Sequence, residues 1–231
     1  MRFTSVKKII ILALILALPG FLYYLLTSQG KNRYKPLPIY GPKTLSGTFH
    51  TVHGKSIPDT TYHTIADFNL TDANGKPVSF KTFDKQIMLV NFFYTGCPTT
   101  CNQMNTAIDG LVVHYLKNNM VNFVSITVDP EKDTPAELKK YSAKFTKSPT
   151  RWFLTGDTTS IYNLSRKGLL VDALQAGKDN FIYSDKAVLI DSEHRIRGYY
   201  SPLITDGLIR LNDEIKVLIA EELRRNDKPL Y

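Results

Sequence analysis

One segment constrains this chain more than any other. Gln86–Tyr94 (QIMLVNFFY) is a continuous apolar run with no alternation. A strand of that kind must be covered on both faces, so helices or further layers have to lie above and below it. The residues that follow fit this requirement. Met104, Ile108, Leu111 and Tyr115 recur at helical spacing, and Val121–Val128 (VNFVSITV) reads as a second strand. Thr134-Pro135-Ala136-Glu137 then reads as a capping box with proline at the first helical position, and Leu138, Tyr141 and Phe145 give that helix a buried face.

Shorter elements frame this unit. Ile65–Leu70 and Val78–Phe80 flank Asn74-Gly75, a hairpin turn signal. Trp152–Thr155 is a short strand and Ser160–Lys167 a short helix. Ala187–Ile190 and Arg195–Tyr200 are strands joined by a turn at Asp191–His194. Leu208, Leu211, Ile215, Leu218 and Ile219 mark one face of a C-terminal helix. Strands alternating with helices imply an α/β fold, with a parallel centre extended by antiparallel strands. Sites in such folds form in loops at the carboxyl ends of parallel strands. Two loops qualify, Thr95–Cys101 and Asp129–Thr134.

The N-terminus is different in kind. Ile9–Leu26 has 18 residues without a charge, interrupted by Pro19-Gly20. As a helix it would extend roughly 27 Å, enough to cross a bilayer core. We read residues 1–30 as an uncleaved membrane anchor, with a cleaved signal peptide as the competing reading. Residues 31–61 read as a tether, because Pro36, Pro38, Pro42 and Pro58 break up regular structure. Residues 62–231 then form one domain. Charge supports this division. Six of the 29 Lys and Arg residues fall in residues 1–35, leaving 23 against 21 acids in the rest. The body is nearly neutral, so a broad surface for nucleic acid is excluded. No phosphate-binding loop supports a nucleotide, and no serine triad supports a hydrolase. Basic residues are balanced on the two sides of the apolar stretch, so charge orients the anchor only weakly, with the domain outside the cytoplasm.

The chain has two cysteines, Cys97 and Cys101, in YTGCPTTCNQM. Chance would place two cysteines this close on the order of a few per cent of the time. They stand where a buried strand ends and a helix begins, where backbone N–H groups favour a thiolate. If the first turn is helical, spacing i, i+4 puts both sulfurs on one face, with Cα atoms about 6 Å apart, a span that a disulfide tolerates. The same pair suits a soft ion such as Cu(I). A purely structural bridge is the plainer alternative, but closing so short a loop contributes little stability.

Around this dithiol the chain resembles the Sco/SenC family of membrane-anchored, thioredoxin-like copper proteins. The matching stretches are TIADFNLTDANGKPVSF, LVNFFYTGCPTTC, SITVDPEKDTPAELKKYSAKF, RWFLTGDTTSIYNLS and KAVLIDSEHRIRGYY. The resemblance implies a thioredoxin-like fold, a central mixed sheet flanked by helices, with an N-terminal transmembrane helix. It also implies an inner-membrane location with the domain facing the periplasm. Copper would serve the assembly of cytochrome c oxidase, whose copper-bearing subunit or another copper/thiol protein would be the partner. Cys97 and Cys101 match the family's copper-binding cysteines, and Asp129 matches an acidic residue near the site. Two positions depart from the family. Asn102 replaces a proline after the second cysteine, and Tyr183, in FIYSDKAVLID, stands where the family places a third ligand, histidine. A neutral phenol is a poor copper ligand beside imidazole. Two thiolates still suit Cu(I), whereas Cu(II) loses a donor.

The other candidate donors are weaker. His194 reads as a turn residue and His114 as a surface residue. His50 and His53 lie in the tether and would need to fold over the site, with His63 near its end. Met104, Trp152, Tyr199 and Tyr200 read as core. Two functions follow from the dithiol. One is copper delivery through Cys97 and Cys101. The other is metal-independent thiol–disulfide exchange, in which Cys97 attacks and Cys101 resolves, and which the loss of histidine favours. A scaffold that has lost its chemistry is a third, which retention of both cysteines opposes.

Overall fold

The structure is a computed structural model that describes residues 3–28, 36–52, 55–97, 99–177 and 180–226. The chain divides into two units, Met1–Pro36 and Leu37–Tyr231. The first contains helix α1 (Phe3–Ser28), which runs through Pro19. Among the described residues no helix is long and apolar enough to cross a membrane. The side chains of Ile9, Ile10, Ile11, Leu14, Leu25 and Leu26, on which the anchor reading also depends, lie outside that description.

The second unit is built on a seven-stranded sheet. Its strands in chain order are β3 (Leu70–Asp72), β4 (Pro77–Val78), β5 (Ile87–Phe93), β6 (Val121–Thr127), β7 (Arg151–Thr155), β10 (Ala187–Ile190) and β11 (Ile196–Tyr200). The spatial order is β11-β10-β5-β6-β7-β3-β4. β5, β6 and β7 are parallel, while β10 joins β5 and β3 joins β7 in antiparallel fashion. The sheet is therefore mixed, with the parallel core expected from its apolar runs.

Each face of β5 is buried in its own cluster. Ile87 and Leu89 point toward Met104, Ile108, Leu111 and Val112 of α2 (Thr100–His114) and toward Leu211, Ile215 and Leu218 of α5 (Thr205–Asn226). Met88, Val90 and Phe92 point the other way. They meet Ile161 of α4 (Thr158–Asn163), Leu164 and Leu169 beyond it, and Ile65, Phe68, Phe80 and Phe83. This period-2 division explains why the run is apolar throughout. α3 (Pro135–Ser142) starts as expected, with Thr134 Oγ1 accepting from Glu137 N at 3.4 Å and proline in its first turn. The reciprocal half of the capping box is replaced, because the Glu137 carboxylate pairs with Lys140 at 2.6 Å. His194 is a turn residue with φ 59°, its ring stacked on Phe80 at 3.8 Å.

Two hairpins depart from the expected organisation. β1 (Lys43–Val52) and β2 (Lys55–Tyr62) pair antiparallel across much of the stretch read as a tether. Pro58 is accommodated opposite Phe49, near a register irregularity, as prolines are in edge strands and beside bulges. The hairpin is exposed along most of its length, so no alternating burial marked it in the sequence. The second, β8 (Ala173–Gly177) with β9 (Asn180–Tyr183), was not expected either. The order of the remaining elements matches the sequence reading, but the strand expected over Ile65–Leu70 is a strand only from Leu70, in β3, and other ends shift by a few residues.

The chain entering the domain is also pinned. Arg197 is buried and donates to Leu37 O at 2.6 Å and Pro38 O at 3.2 Å, while pairing with Asp191 and Glu221. Leu37 N donates to Glu221 Oε1 at 2.6 Å. Leu37 and Pro38 are therefore tied to the folded body.

Candidate functional site

The parallel strand β5 delivers the chain to the site. After Phe93 it leaves the sheet through a tight turn in which Cys97 N donates to Tyr94 O at 3.3 Å, and α2 begins at Thr100. Cys97 and Cys101 form a disulfide with their Cα atoms 5.9 Å apart. Cys101 N donates to Cys97 Sγ at 3.2 Å, so the sulfur of the first cysteine receives a backbone N–H from the start of α2. This is the electrostatic placement that favours a reactive sulfur.

The two sulfurs differ in access. Cys97 is 5% exposed and Cys101 0%. Both sit in a cluster with Phe93, Leu138, Tyr141 and Phe153, against which Tyr94, Phe145 and Tyr183 also pack. The pair is thus more enclosed than a loop position suggests, and an incoming group reaches Cys97 first.

Tyr183 closes the site. It ends β9, and its hydroxyl lies 2.9 Å from Cys101 Sγ and 3.3 Å from Cys97 Sγ. Its ring meets Tyr94 edge-on at 5.9 Å. Burial raises the Tyr183 pKa, and Tyr94, Tyr141 and Asp185 add to the rise. The phenol therefore keeps its proton at neutral pH and serves as a hydrogen-bond donor to sulfur. The position aligned with a ligand histidine does reach both cysteines, but it brings a hydroxyl.

The remaining candidate donors are engaged elsewhere. His50 Nδ1 lies 2.5 Å from Asp59 Oδ1 on the first hairpin, and the hydrogen bond from Thr48, then that with His50, holds the Asp59 carboxyl below its usual range. His63 Nε2 lies 2.7 Å from Gly168 O. His53 is outside the described residues. Met104 is packed in the α2–α5 core. Among the described residues no group of three or more His, Cys, Asp and Glu side chains is placed to hold a metal ion. The two sulfurs nevertheless match the donor set of a low-coordinate Cu(I).

The second loop supports the first. Asp133 is buried and accepts from Thr95 N at 3.0 Å and from the hydroxyls of Thr95 and Thr127. It thereby ties the turn preceding Cys97 to the end of β6. Asp129 is also buried, and desolvation raises its pKa, with Asp133 contributing repulsion.

Beneath α2 lies a polar network that the sequence reading did not find. Asn105 Oδ1 accepts from Asn91 Nδ2 at 3.2 Å, Ser125 Oγ at 2.8 Å and Arg151 Nη2 at 3.1 Å. Asn105 Nδ2 donates to Tyr141 OH at 3.1 Å, and Tyr141 OH donates to Asn102 Oδ1 at 3.1 Å. Arg151 is enclosed, and burial lowers its pKa to about 10. Its Nε is buried without a hydrogen-bond partner among the described residues. The signal was present in the sequence, since Asn91 and Ser125 interrupt strands whose neighbours are apolar on both faces.

A mixed sheet with flanking helices and a dithiol at a strand–helix junction define a thioredoxin-like thiol protein. Comparison with known proteins narrows the class. The SCO1/SenC family model matches residues 58–216. The SCO1 protein homolog of Bacillus subtilis is 28% identical over 152 residues, covering 64% of this chain and 79% of its own. Bradyrhizobium japonicum ScoI, solved with copper bound, superposes with a TM-score of 0.58 at 27% identity, covering 67% of this chain and 99% of its own. BsSco, described as a member of the Sco family of cytochrome c oxidase assembly proteins, shares the fold. It has a TM-score of 0.60 at 24% identity and covers 67% of this chain and 92% of its own. The chain belongs to the SCO1/SenC family.

Proposed function

We propose that this chain handles Cu(I) as cargo through Cys97 and Cys101, for assembly of the copper site of cytochrome c oxidase. The single observation that carries the reading is the paired cysteines, 5.9 Å apart at Cα, with Cys97 the more exposed. Family membership and the copper-bound Bradyrhizobium relative support copper, and the description of BsSco supports the oxidase as destination. The Cys97–Cys101 disulfide is the oxidised form of the site. Reduction yields two thiols that, once deprotonated, offer soft donors, Cys97 from the turn before α2 and Cys101 from its first turn.

The domain works at a membrane surface in this reading. The uncharged Ile9–Leu26 stretch, with Leu16 70% and Phe21 58% exposed on the helix, supports an anchor. A disulfide supports a compartment outside the cytoplasm. Both agree with a single-pass protein of the inner membrane whose domain faces the periplasm.

A second reading has a specific observation in its favour. Tyr183 puts a hydroxyl on both sulfurs where the family resemblance places an imidazole. Metal-independent exchange needs the sulfurs alone. The Cys97 thiolate would attack a partner disulfide, forming a mixed disulfide and releasing one partner thiolate. The Cys101 thiolate would then attack Cys97 Sγ, closing the Cys97–Cys101 bond and releasing the second partner thiolate. Two electrons pass from this chain to the partner.

Titration of the reduced full chain in nonionic detergent with Cu(I), against a competing chelator, separates the readings. Copper handling predicts one Cu(I) bound more tightly than by a simple dithiol peptide, and lost in Cys97→Ser. Affinity no better than the peptide's eliminates copper delivery and leaves thiol exchange.

A further inference from the structure

An open groove of about 740 Å³ runs between the β3–β4 turn and the segment from α3 to β7. Its wall includes Ala73 and Phe153, which belong to the same packed cluster as Cys97 and Cys101. The groove therefore shares two side chains with the cluster that encloses the dithiol.

The charge lining this groove is one-sided. Lys139, Lys147 and Arg151 line it against a single carboxylate among the described residues, Asp72. Asp72 is turned to its own loop, where Oδ1 accepts from Asn74 N and Lys76 N, both at 2.8 Å. Lys139 and Lys147 are exposed and have no ion-pair partner among the described residues. Their neighbour Lys140, by contrast, is paired with Glu137. Asp109, the next acid nearby, is engaged by Thr146 N at 2.9 Å and Thr146 Oγ1 at 2.8 Å. A fourth cation, Lys144, lies in the segment between the lining residues Ala143 and Thr146. Lys144 Nζ sits 4.2 Å from the Tyr141 ring centre and donates to Oδ1 of Asn102, the residue after Cys101, at 3.2 Å.

We propose that this groove docks an acidic segment of the cysteine-bearing protein with which Cys97 exchanges. The proposal rests on the dithiol reading above and adds the partner's chemistry to it. Charge complementarity selects the occupant. A carboxylate-rich segment meets unpaired ammonium groups that hold no competing partner, and their field raises the encounter rate. Docking beside Phe153 and Ala73 brings the partner's thiolate to the more exposed sulfur. In the reverse of the exchange described above, that thiolate attacks Cys97 Sγ, a partner–Cys97 disulfide forms, the Cys97–Cys101 bond breaks, and the electron pair remains on Cys101.

The test uses the oxidised full chain in nonionic detergent and two synthetic peptides. One carries a cysteine flanked by glutamates, the other the same cysteine flanked by glutamines. Mixed-disulfide formation is followed by acid quench and mass spectrometry, in wild type and in the Lys139→Glu/Lys147→Glu double variant. Comparing proteins for one peptide cancels the peptide's own thiol reactivity. At low salt the glutamate peptide should react about tenfold more slowly with the double variant, within the range of electrostatic steering. The glutamine peptide should be unchanged, and salt should erase the difference. Equal rates for the glutamate peptide in both proteins, or equal slowing of both peptides, overturn the docking surface. A fluorescent glutamate peptide with serine in place of cysteine separates the two layers. If it binds wild type and not the double variant while neither cysteine peptide exchanges, the groove stands and the dithiol reading falls.

Discussion

Replacing Tyr183 with phenylalanine removes one oxygen from the site and leaves the ring against Tyr94. That oxygen is 2.9 Å from Cys101 Sγ and 3.3 Å from Cys97 Sγ. In the disulfide the sulfurs are weak acceptors, so the hydroxyl contributes little there. In the reduced pair a thiolate is a charged acceptor, and a hydrogen bond to a charged group contributes about 1.5–3 kcal/mol. The difference between the two states is about 1–2 kcal/mol in favour of the reduced form. For a two-electron couple this corresponds to roughly 20–45 mV. Tyr183→Phe should therefore shift the potential of the Cys97–Cys101 couple in the negative direction by that amount. Equilibration of the full chain with dithiothreitol buffers of graded poise, with thiols trapped by alkylation, measures it. An unchanged or more positive potential would refute the role given to the hydroxyl.

Three further outcomes are expected. Tyr183→His restores an imidazole beside two sulfurs, so the reduced variant should gain a Cu(II)–thiolate absorption band that wild type lacks; identical spectra would show that the phenol is not what excludes Cu(II). Asn105→Ala removes the acceptor shared by Asn91, Ser125 and Arg151. It should cost about 3–5 kcal/mol, because a buried charge and neutral donors lose a partner together, read as a lower urea midpoint with an unchanged slope; a loss under about 1 kcal/mol would contradict the network's importance. Burial against Phe80 lowers the His194 pKa below 6.5. Its neutral form thus contributes stability that is present above pH 6.5 and is lost as pH falls through the depressed folded value. His194→Asn, which tolerates the same left-handed backbone, should lessen the fall in stability between pH 7 and 5, and an unaltered pH profile would reject the assignment.

The parts of the fold that the sequence revealed are those where burial is periodic. β5 could be read because Ile87 and Leu89 face one cluster, Met88, Val90 and Phe92 a second and Phe93 a third, leaving no polar position except Asn91. α2 could be read because Met104, Ile108 and Leu111 all face the core. The β1–β2 hairpin escaped notice for the converse reason. Leu45 and Phe49 remain exposed, so its apolar residues carry no information about a packed face. The site divides in the same way. Cys97 and Cys101 stood out by rarity and spacing, yet their enclosure came from residues distant in sequence. Tyr183 lies 82 residues beyond Cys101, and only family resemblance pointed to it, because β8–β9 has no clear alternation. Arg151 looked like the start of an ordinary strand, and only the assembled neighbours Ser125 and Asn105 explain its burial.

The unequal access of the two sulfurs offers the most direct test of the dithiol as the working centre. Single variants Cys101→Ser and Cys97→Ser of the full chain, folded and in nonionic detergent, are exposed to oxidised glutathione, and the modified residue is identified by mass spectrometry. Glutathione should accumulate on Cys97 in the first variant, while Cys101 in the second stays largely unmodified until denaturant is added. Equal modification of both cysteines, faster modification of Cys101, or no modification of Cys97 in the folded chain would contradict it.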